Sequence, residues 1–194
     1  MLAICRLFLI VTLLASHGLS LPVVEGDVQE SSSPSTLSTH SIVRRKEKKS
    51  GSADYASFQI SDGTAGKAKE NAIKVFLTPY KLTLSDSLVI GPDDNLKKIS
   101  KSDYQKIKSM ASVASKSEEG FNKAIKGGKD AALQRGKIAN KVLKIMGHLT
   151  YIYIDKANGK GAADLEKETK KLKKNIATDK ADNGKSMKSF LSKK

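Results

Sequence analysis

Apolar side chains recur at helical spacing along much of the chain, beginning with a narrow stripe of small residues. Between Ala65 and Phe76 the apolar positions fall three and four residues apart, which is typical of one face of an α-helix. Pro79 ends this pattern because proline lacks the backbone N–H that a helix interior needs. Asp62 or Thr64 is the expected N-cap. The pattern therefore predicts a short first helix that begins near Ala65.

A second helix is predicted after a less regular stretch, residues 80–99, that contains a turn at Gly91-Pro92-Asp93-Asp94. Ser100 and Asp103 have the three-residue spacing of a capping box. The apolar stripe that follows consists of Tyr104, Ile107, Met110, Ala111, Ala114, Phe121, Ala124 and Ile125. Gly127-Gly128 is expected to end or kink this helix, because glycine is a poor helix former.

The third predicted helix, from Asp130 to about Lys156, carries the widest apolar stripe and is expected to be central. The stripe comprises Leu133, Ile138, Val142, Leu143, Ile145, Met146, Leu149 and Ile152. Leu149–Ile154 is rich in β-branched and aromatic residues, so a strand is the alternative there. Helix is favoured because the 3.6-residue pattern runs into this segment and no breaker precedes it. Asn158-Gly159 is a suitable stop.

The last predicted helix runs from about Ala162 to Lys180, and Asn183-Gly184 can end it. Met187, Phe190 and Leu191 then form a short terminal turn. Short glycine-containing connections between long helices imply antiparallel neighbours. The predicted fold class is therefore all-α: an elongated antiparallel bundle of three long helices and a shorter N-terminal one, within residues 54–194.

The first 20 residues follow the order of a secretory signal peptide. Arg6 supplies a positive charge, Leu7–Leu14 is a short apolar run, and small residues follow it. Gly18 and Ser20 suit a peptidase cut after Ser20, and a cut after Gly18 is the alternative. The apolar run is too short for a membrane span, which takes about 20 residues. We therefore expect export and an extracellular location.

Residues 21–53 are rich in serine and threonine and have few large apolar side chains, which predicts a disordered leader. Arg44 and Arg45 form a dibasic pair suited to a processing protease, so residues up to Arg45 are a candidate propeptide. The alternative is a solvated charge run that is never cut. A nuclear signal is a third interpretation, for a protein that enters another cell. The Ser/Thr stretch could also carry O-linked sugars.

Composition argues against most catalytic chemistry. The single cysteine, Cys5, lies in the signal peptide, so the mature chain is expected to have neither a disulfide nor a thiol nucleophile. His40 and His148 are the histidines beyond residue 20, too few for a histidine-based metal site. No cofactor is predicted. His148 lies within an apolar helical pattern, which favours a histidine at the edge of the core or on the surface.

Two pairs of neighbouring carboxylates could support acid–base catalysis, Asp93-Asp94 and Glu118-Glu119. Each pair lies among lysines and is interpreted more simply as charge at a helix start or on a solvent face. No nucleophile-elbow, phosphate-loop or zinc-protease motif occurs. The chain is therefore predicted to have no catalytic residues and not to be an enzyme.

The net charge of +15 is the remaining clue. Three residues of each sign precede Lys46, which leaves 32 basic and 17 acidic residues of the 35 and 20 in the whole chain. Such a field attracts nucleic acid, anionic lipid or acidic cell-wall polymers. Arg135 is the one arginine after Arg45, which argues against sequence-specific nucleic-acid binding. The candidate polyanion contacts lie on the outer side of the last helix: Lys170, Lys171, Lys173 and Lys174.

Three segments, Phe58–Gly66, Leu133–Lys144 and Asn175–Gly184, resemble an uncharacterised family of small secreted proteins from filamentous ascomycete fungi. The resemblance covers about residues 54–184. It implies a fungal source, secretion and a helical fold, and it carries over no activity and no functional residue. Members of the family are discussed as effector candidates.

Two functions are therefore expected. The first is a non-enzymatic secreted protein that acts by interaction with an extracellular partner, in the manner of an effector. The alternative is a lysine-rich protein that binds polyanions or disrupts membranes, although the last helix is sparsely apolar for membrane disruption.

Overall fold

The computed structural model describes residues 55–126, 128–162 and 164–192. The α-helices in this part of the chain are α1 (Ala68–Phe76), α2 (Asp93–Lys97), α3 (Lys101–Ile125), α4 (Ala131–Ala157) and α5 (Leu165–Ala181). Four two-residue strands form two antiparallel pairs: β1 (Gly63–Thr64) with β4 (Ser186–Met187), and β2 (Thr83–Leu84) with β3 (Ile90–Gly91). The prediction of a mostly helical protein is confirmed, whereas the strands were not predicted.

Side-chain caps set the beginnings of the two longest helices. The Ser100 hydroxyl oxygen accepts a hydrogen bond from the Asp103 N–H at 3.0 Å, as the capping box predicts. Asp130 does the same for the Leu133 N–H at 3.0 Å, at the beginning of α4. These bonds occupy backbone donors that have no partner inside the helix.

Helix α4 is the central element, and it contacts α1, α3 and α5. Its buried side chains include most of the predicted stripe and extend through Leu149–Ile154, so this segment is helical as predicted. Within that segment Thr150 is fully buried, and its hydroxyl donates to the Met146 carbonyl at 2.8 Å. This local bond allows a β-branched polar residue to occupy the core without an unpaired donor. The helix ends at Asn158-Gly159, and Gly159 has a φ of 75°.

The expected beginning of α1 is wrong, because the helix begins at Ala68 and neither Asp62 nor Thr64 caps it. Thr64 belongs to β1. The cap comes from a distant helix: the buried carboxylate of Asp179, on α5, accepts a hydrogen bond from the Ala68 N–H at 2.9 Å. The sequence around residue 65 could not reveal a cap supplied by a residue 111 positions away.

Residues 184–192, the C-terminal strap, also depart from the prediction. Met187 lies in β4 and pairs with Gly63, not in a terminal turn. The Lys188 N–H donates to the Ala132 carbonyl at 3.1 Å, and the Phe190 ring lies against the rings of Tyr55 and Phe121 with centroid distances of 5.6 and 5.0 Å. The strap therefore completes the core at the beginning of α4.

The stretch predicted to be less regular contains the β2–β3 hairpin and α2. The predicted turn at residues 91–94 contains a cis peptide bond between Gly91 and Pro92, and α2 begins directly after it. In the part of the chain that the structure describes, none of the helices is long and apolar enough to cross a membrane.

Candidate binding cleft

Helices α3, α4 and α5 line a cleft of about 330 Å³. Helix α4 supplies one side of it from positions three and four residues apart, which share a helix face. The lining residues are Glu118, Lys141, Lys144, Ile145, His148, Glu168, Lys171 and Asn175. All but Ile145 are polar or charged, so the cleft suits a polar ligand.

A carboxylate on α3 is held between two lysines of α4. Glu118 forms an ion pair with Lys144, and its other oxygen lies 3.7 Å from the Lys141 Nζ atom. The three side chains are only 23–31% exposed. Burial by itself would raise the pKa of Glu118, but Lys144, Lys141 and Lys137 outweigh that effect and lower it. Glu118 therefore stays ionised as an anion bound by two ammonium groups.

A second ion pair borders the cleft on α5. Glu168 is 13% exposed, and its Oε1 atom lies 2.6 Å from the Lys171 Nζ atom. Lys171 follows Glu168 by three residues, so this pair needs no contact with another helix. Three lysines therefore face two carboxylates in the cleft, and the charge balance of the lining is positive when His148 is neutral.

His148 lies half-buried between these pairs, as expected for a residue at the edge of the core. Its Nε2 atom is 3.2 Å from the Ser115 hydroxyl oxygen, and that hydroxyl lies 2.9 Å from the Ala111 carbonyl. The carbonyl can only accept, whereas the role of His148 Nε2 depends on the histidine's tautomer. In the Nε2–H tautomer the histidine donates to Ser115, and the Ser115 proton bonds the closer Ala111 carbonyl.

Burial lowers the pKa of His148; the charge of Glu168 raises it, and those of Lys144 and Lys171 lower it further. The imidazole is consequently neutral at pH 7. A serine nucleophile gives its proton to the histidine, and here the hydroxyl lies closer to a backbone carbonyl than to the histidine. The Ser115–His148 contact joins α3 and α4.

Neither of the two predicted carboxylate pairs lies in the cleft as a pair. Asp93 and Asp94 are exposed in the first turn of α2, where negative charge favours a helix start. Glu119 is exposed and pairs with Lys123 at 2.7 Å. Of these residues only Glu118 reaches the cleft. No group of three or more histidine, cysteine, aspartate or glutamate side chains that could hold a metal occurs within the described residues.

The four lysines proposed to contact polyanions are all exposed on α5. Lys170 pairs with Glu166 at 2.6 Å. Successive residues of a helix are rotated by about 100°, so Lys171 and Lys173 point about 160° apart. Lys171 is on the cleft side, Lys173 is on the opposite flank, and Lys174 lies between them towards solvent. Lys170 and Lys174 are four residues apart and share a face, so the four lysines spread over the outward half of the helix.

The other predicted site residues, Ser20, Arg44 and Arg45, lie outside the described residues. The sequence prediction missed the cleft itself. The one sequence signal for the cleft was the recurrence of Lys141, Lys144 and His148 at helical spacing inside the most apolar helix. Such polar positions mark where a central helix comes to the surface.

Of the three segments on which the family resemblance rests, Phe58–Gly66 lies against both of the others. A Cβ atom added to Gly66 would lie 2.1 Å from the Asn183 side chain, and one added to Gly136 would lie 2.1 Å from the Lys188 carbonyl oxygen and 3.0 Å from that of Ser61. Glycine at these two positions allows the backbones and side chains to approach closely. These segments therefore hold the N-terminal and C-terminal parts of the domain against α4.

The fold and the cleft define a small helical domain with a mixed-charge surface depression. A family model described as a domain of unknown function, DUF8454, matches residues 50–191, and the chain belongs to that family. No curated protein and no solved structure matches the chain. The matched region contains the whole cleft and the C-terminal strap up to Leu191.

Proposed function

We propose that the chain is a non-enzymatic secreted protein that acts by interaction, in the manner of an effector at a host or microbial surface. The observation that carries this proposal is the Ser115–His148 contact. The Ser115 hydroxyl lies closer to the Ala111 carbonyl (2.9 Å) than to His148 Nε2 (3.2 Å), which favours a hydroxyl that bonds the carbonyl over one that gives its proton to the histidine. Glu118, the carboxylate that α3 contributes to the cleft, is held by two lysines.

Secretion enters the proposal from the sequence of residues 1–20, which has the order of a signal peptide. The dibasic pair Arg44-Arg45 adds a second cut, so that the mature chain would begin at Lys46. The family resemblance adds a filamentous fungal source. The mature protein would then be free of cysteine and stabilised by packing rather than by disulfides.

The arrangement of the helices as an elongated antiparallel bundle is also part of the proposal. Contacts between α3 and α4 support antiparallel packing, because the beginning of one helix meets the end of the other. The Tyr104 hydroxyl donates to Asp155 at 2.8 Å, and the Asn140 amide donates to the Ala114 carbonyl at 3.0 Å. Such a bundle presents long, rigid helical faces to a partner.

The test of the proposal is an activity survey with matched variants. Purified secreted protein is incubated with host and microbial extracts, and hydrolysis products are followed by mass spectrometry. We expect no product that depends on the protein. A hydrolytic activity that remains through purification and is lost in Ser115→Ala or Glu118→Gln would overturn the proposal, because each variant removes one chemically capable group.

Polyanion binding is the second candidate function, and one observation favours it. Lys173 and Lys174 are exposed, and neither forms an ion pair with any residue in the ranges that the structure describes. Their ammonium groups are thus available to an anionic partner, whereas Lys170 and Lys171 have partners on their own helix. Heparin, duplex DNA and anionic vesicles should bind most strongly at about 50 mM salt and release as salt rises. Absence of binding at that salt concentration would exclude this function.

A further inference from the structure

We propose that the cleft between α3, α4 and α5 binds a single phosphate or sulfate ester group of an anionic polymer, in place of the Glu118 carboxylate. The inference rests on the polyanion-binding function proposed above, and it assigns that function a specific subsite. The cleft contains lysines from two helices. One of its own carboxylates, that of Glu118, lies where the external anion would bind.

The Glu118 carboxylate shows what the site can hold. Two ammonium groups, those of Lys141 and Lys144, converge on its two oxygens from one face of α4. A phosphate or sulfate ester presents oxygens to these donors in the same way, and lysine contacts such groups as a point charge. Glu118 is carried on a neighbouring helix and is partly exposed, so its side chain can rotate towards solvent when an external anion takes its place.

The opposite side of the cleft supplies a third cation. Lys171 projects from α5, is 49% exposed, and pairs with Glu168. Its four-carbon stem allows the ammonium group to contact both Glu168 and a ligand, since it has three donors. Because α4 and α5 both contribute lysines, a bound anion would be contacted from two sides. The exposed lysines on the outer face of α5 do not enclose a ligand in this way.

The size of the cleft matches a group larger than a bare ion. Its volume of about 330 Å³ is at the lower end of the range for small-molecule sites, about 300–1,000 Å³. One ester group and the sugar ring that bears it fit within that volume, and the rest of a polymer would extend into solvent. The ligand class is therefore a sulfated or phosphorylated chain recognised one group at a time.

His148 provides an internal reporter of binding. The groups around it are Ser115 on α3, Lys144 and the Tyr151 ring (centroid distance 5.7 Å) on α4, and Glu168 and Lys171 on α5. A negatively charged ester close to Lys144 and Lys171 would offset the lysine charges that lower the pKa of His148. Binding is therefore expected to raise the His148 pKa, and NMR of the imidazole protons measures this directly.

The experiment measures the affinity of the full secreted chain for inorganic sulfate, inorganic phosphate, a heparin-derived disaccharide and polyphosphate, while His148 is titrated by NMR. Lys144→Ala should weaken binding of each probe by about fivefold, the upper range for one partly exposed ion pair. Glu118→Gln should strengthen binding, because it removes the internal competitor. Lys123→Ala is the matched control, since Lys123 pairs with Glu119 outside the cleft.

The outcomes separate the subsite from the wider function. The proposal is supported if Glu118→Gln tightens binding, Lys144→Ala weakens it, and the probes raise the His148 pKa in the wild type. Preference for the disaccharide or for polyphosphate then identifies the source of the ester. If heparin binds while Lys144→Ala and Lys123→Ala behave alike and His148 does not respond, polyanion binding stands and the cleft proposal fails. If no probe binds, both fail.

Discussion

The carboxylate of Asp62 accepts a hydrogen bond from the backbone N–H of Ser189, with 2.7 Å between Oδ1 and the nitrogen. The same oxygen accepts from the Ser192 hydroxyl at 2.7 Å, and the other oxygen accepts from the Gln59 amide at 2.6 Å. One side chain, ahead of β1, thereby fixes the C-terminal strap 127 residues away. The strap in turn closes the core beside Phe121.

Replacing Asp62 with alanine should lower the free energy of unfolding by about 1–2 kcal/mol. The change removes three hydrogen bonds to a charged acceptor, and its partial exposure to solvent moderates the loss. Urea unfolding followed by circular dichroism measures the change. Asp86→Ala is the matched control, because Asp86 is exposed in the turn between β2 and β3.

The contribution of Asp62 to stability should also depend on pH. Burial raises the pKa of Asp62, and the hydrogen bonds from Ser189, Ser192 and Gln59 outweigh it, so that the folded pKa lies below the ordinary value. Because the pKa of Asp62 is lower in the folded state, its ionised carboxylate stabilises the protein at pH values above the pKa of the unfolded state, about 3.9. This stabilisation is lost as the pH falls through the pKa of the folded state. The stability difference between wild type and Asp62→Asn should therefore shrink below about pH 4. A difference that is constant from pH 6 to pH 3 would contradict the assignment.

Gly136→Ala should destabilise the protein, although alanine is the better helix former by about 1 kcal/mol. The added Cβ would lie 2.1 Å from the Lys188 carbonyl oxygen, so the strap would have to move away from α4. We expect a net loss of about 1–3 kcal/mol, the usual cost of overpacking. Gly128→Ala is the control, because nothing lies within 4 Å of its added Cβ. Equal unfolding midpoints for the two variants would show that the strap does not pack on α4 as described.

The contrast between α3 and the strap shows what could be predicted from the sequence. Ser100 and Asp103 cap α3 through a local pattern, and local patterns are visible in a sequence. Met187 joins a strand because Gly63 is its partner, and the chain near Met187 gives no sign of that pairing. The cap of α1 by Asp179 is likewise a contact between distant segments that the local sequence does not show. Helices were thus predictable, whereas contacts made between distant segments were not.

The cleft was missed for a related reason. In the sequence, nothing distinguishes Glu118, Lys144 and Lys171 from other charged residues of amphipathic helices. Only the packing of three helices brings them together. The four lysines of α5 were identified correctly as exposed, and they spread over the outward half of the helix. Charge composition indicates a field around the protein, and the arrangement of individual charges depends on the tertiary fold.

Lys173 and Lys174, which form no ion pair within the described residues, should contribute more to polyanion binding than two exposed lysines elsewhere on the surface. Lys173→Ala with Lys174→Ala should lower the salt concentration that elutes the protein from heparin. The matched control is Lys97→Ala with Lys98→Ala, which removes the same charge from exposed positions around the end of α2. Equal shifts for the two double variants would show that only net charge matters and that the α5 surface has no special role.

The proposed processing at the dibasic pair would give a distinct mature N-terminus. Intact-mass and N-terminal peptide analysis of the protein secreted by an expressing cell should detect a chain that begins at Lys46. Arg45→Ala should shift the start towards Leu21, the residue after the proposed signal-peptide cut. A wild-type chain that begins at Leu21, unaffected by Arg45→Ala, would refute the propeptide while leaving secretion intact. Retention of residues 1–20 in the cell fraction would refute secretion.

The central claim is that the protein binds an extracellular partner and does not transform it. The most direct measurement is saturation binding of labelled protein to the intact surface of candidate host or microbial cells, with mass spectrometry of the bound component after recovery. The account predicts saturable binding that unlabelled protein displaces, with the bound component chemically unchanged over time. A bound component that is progressively cleaved or modified by the wild type, and left intact by Ser115→Ala or Glu118→Gln, would contradict it.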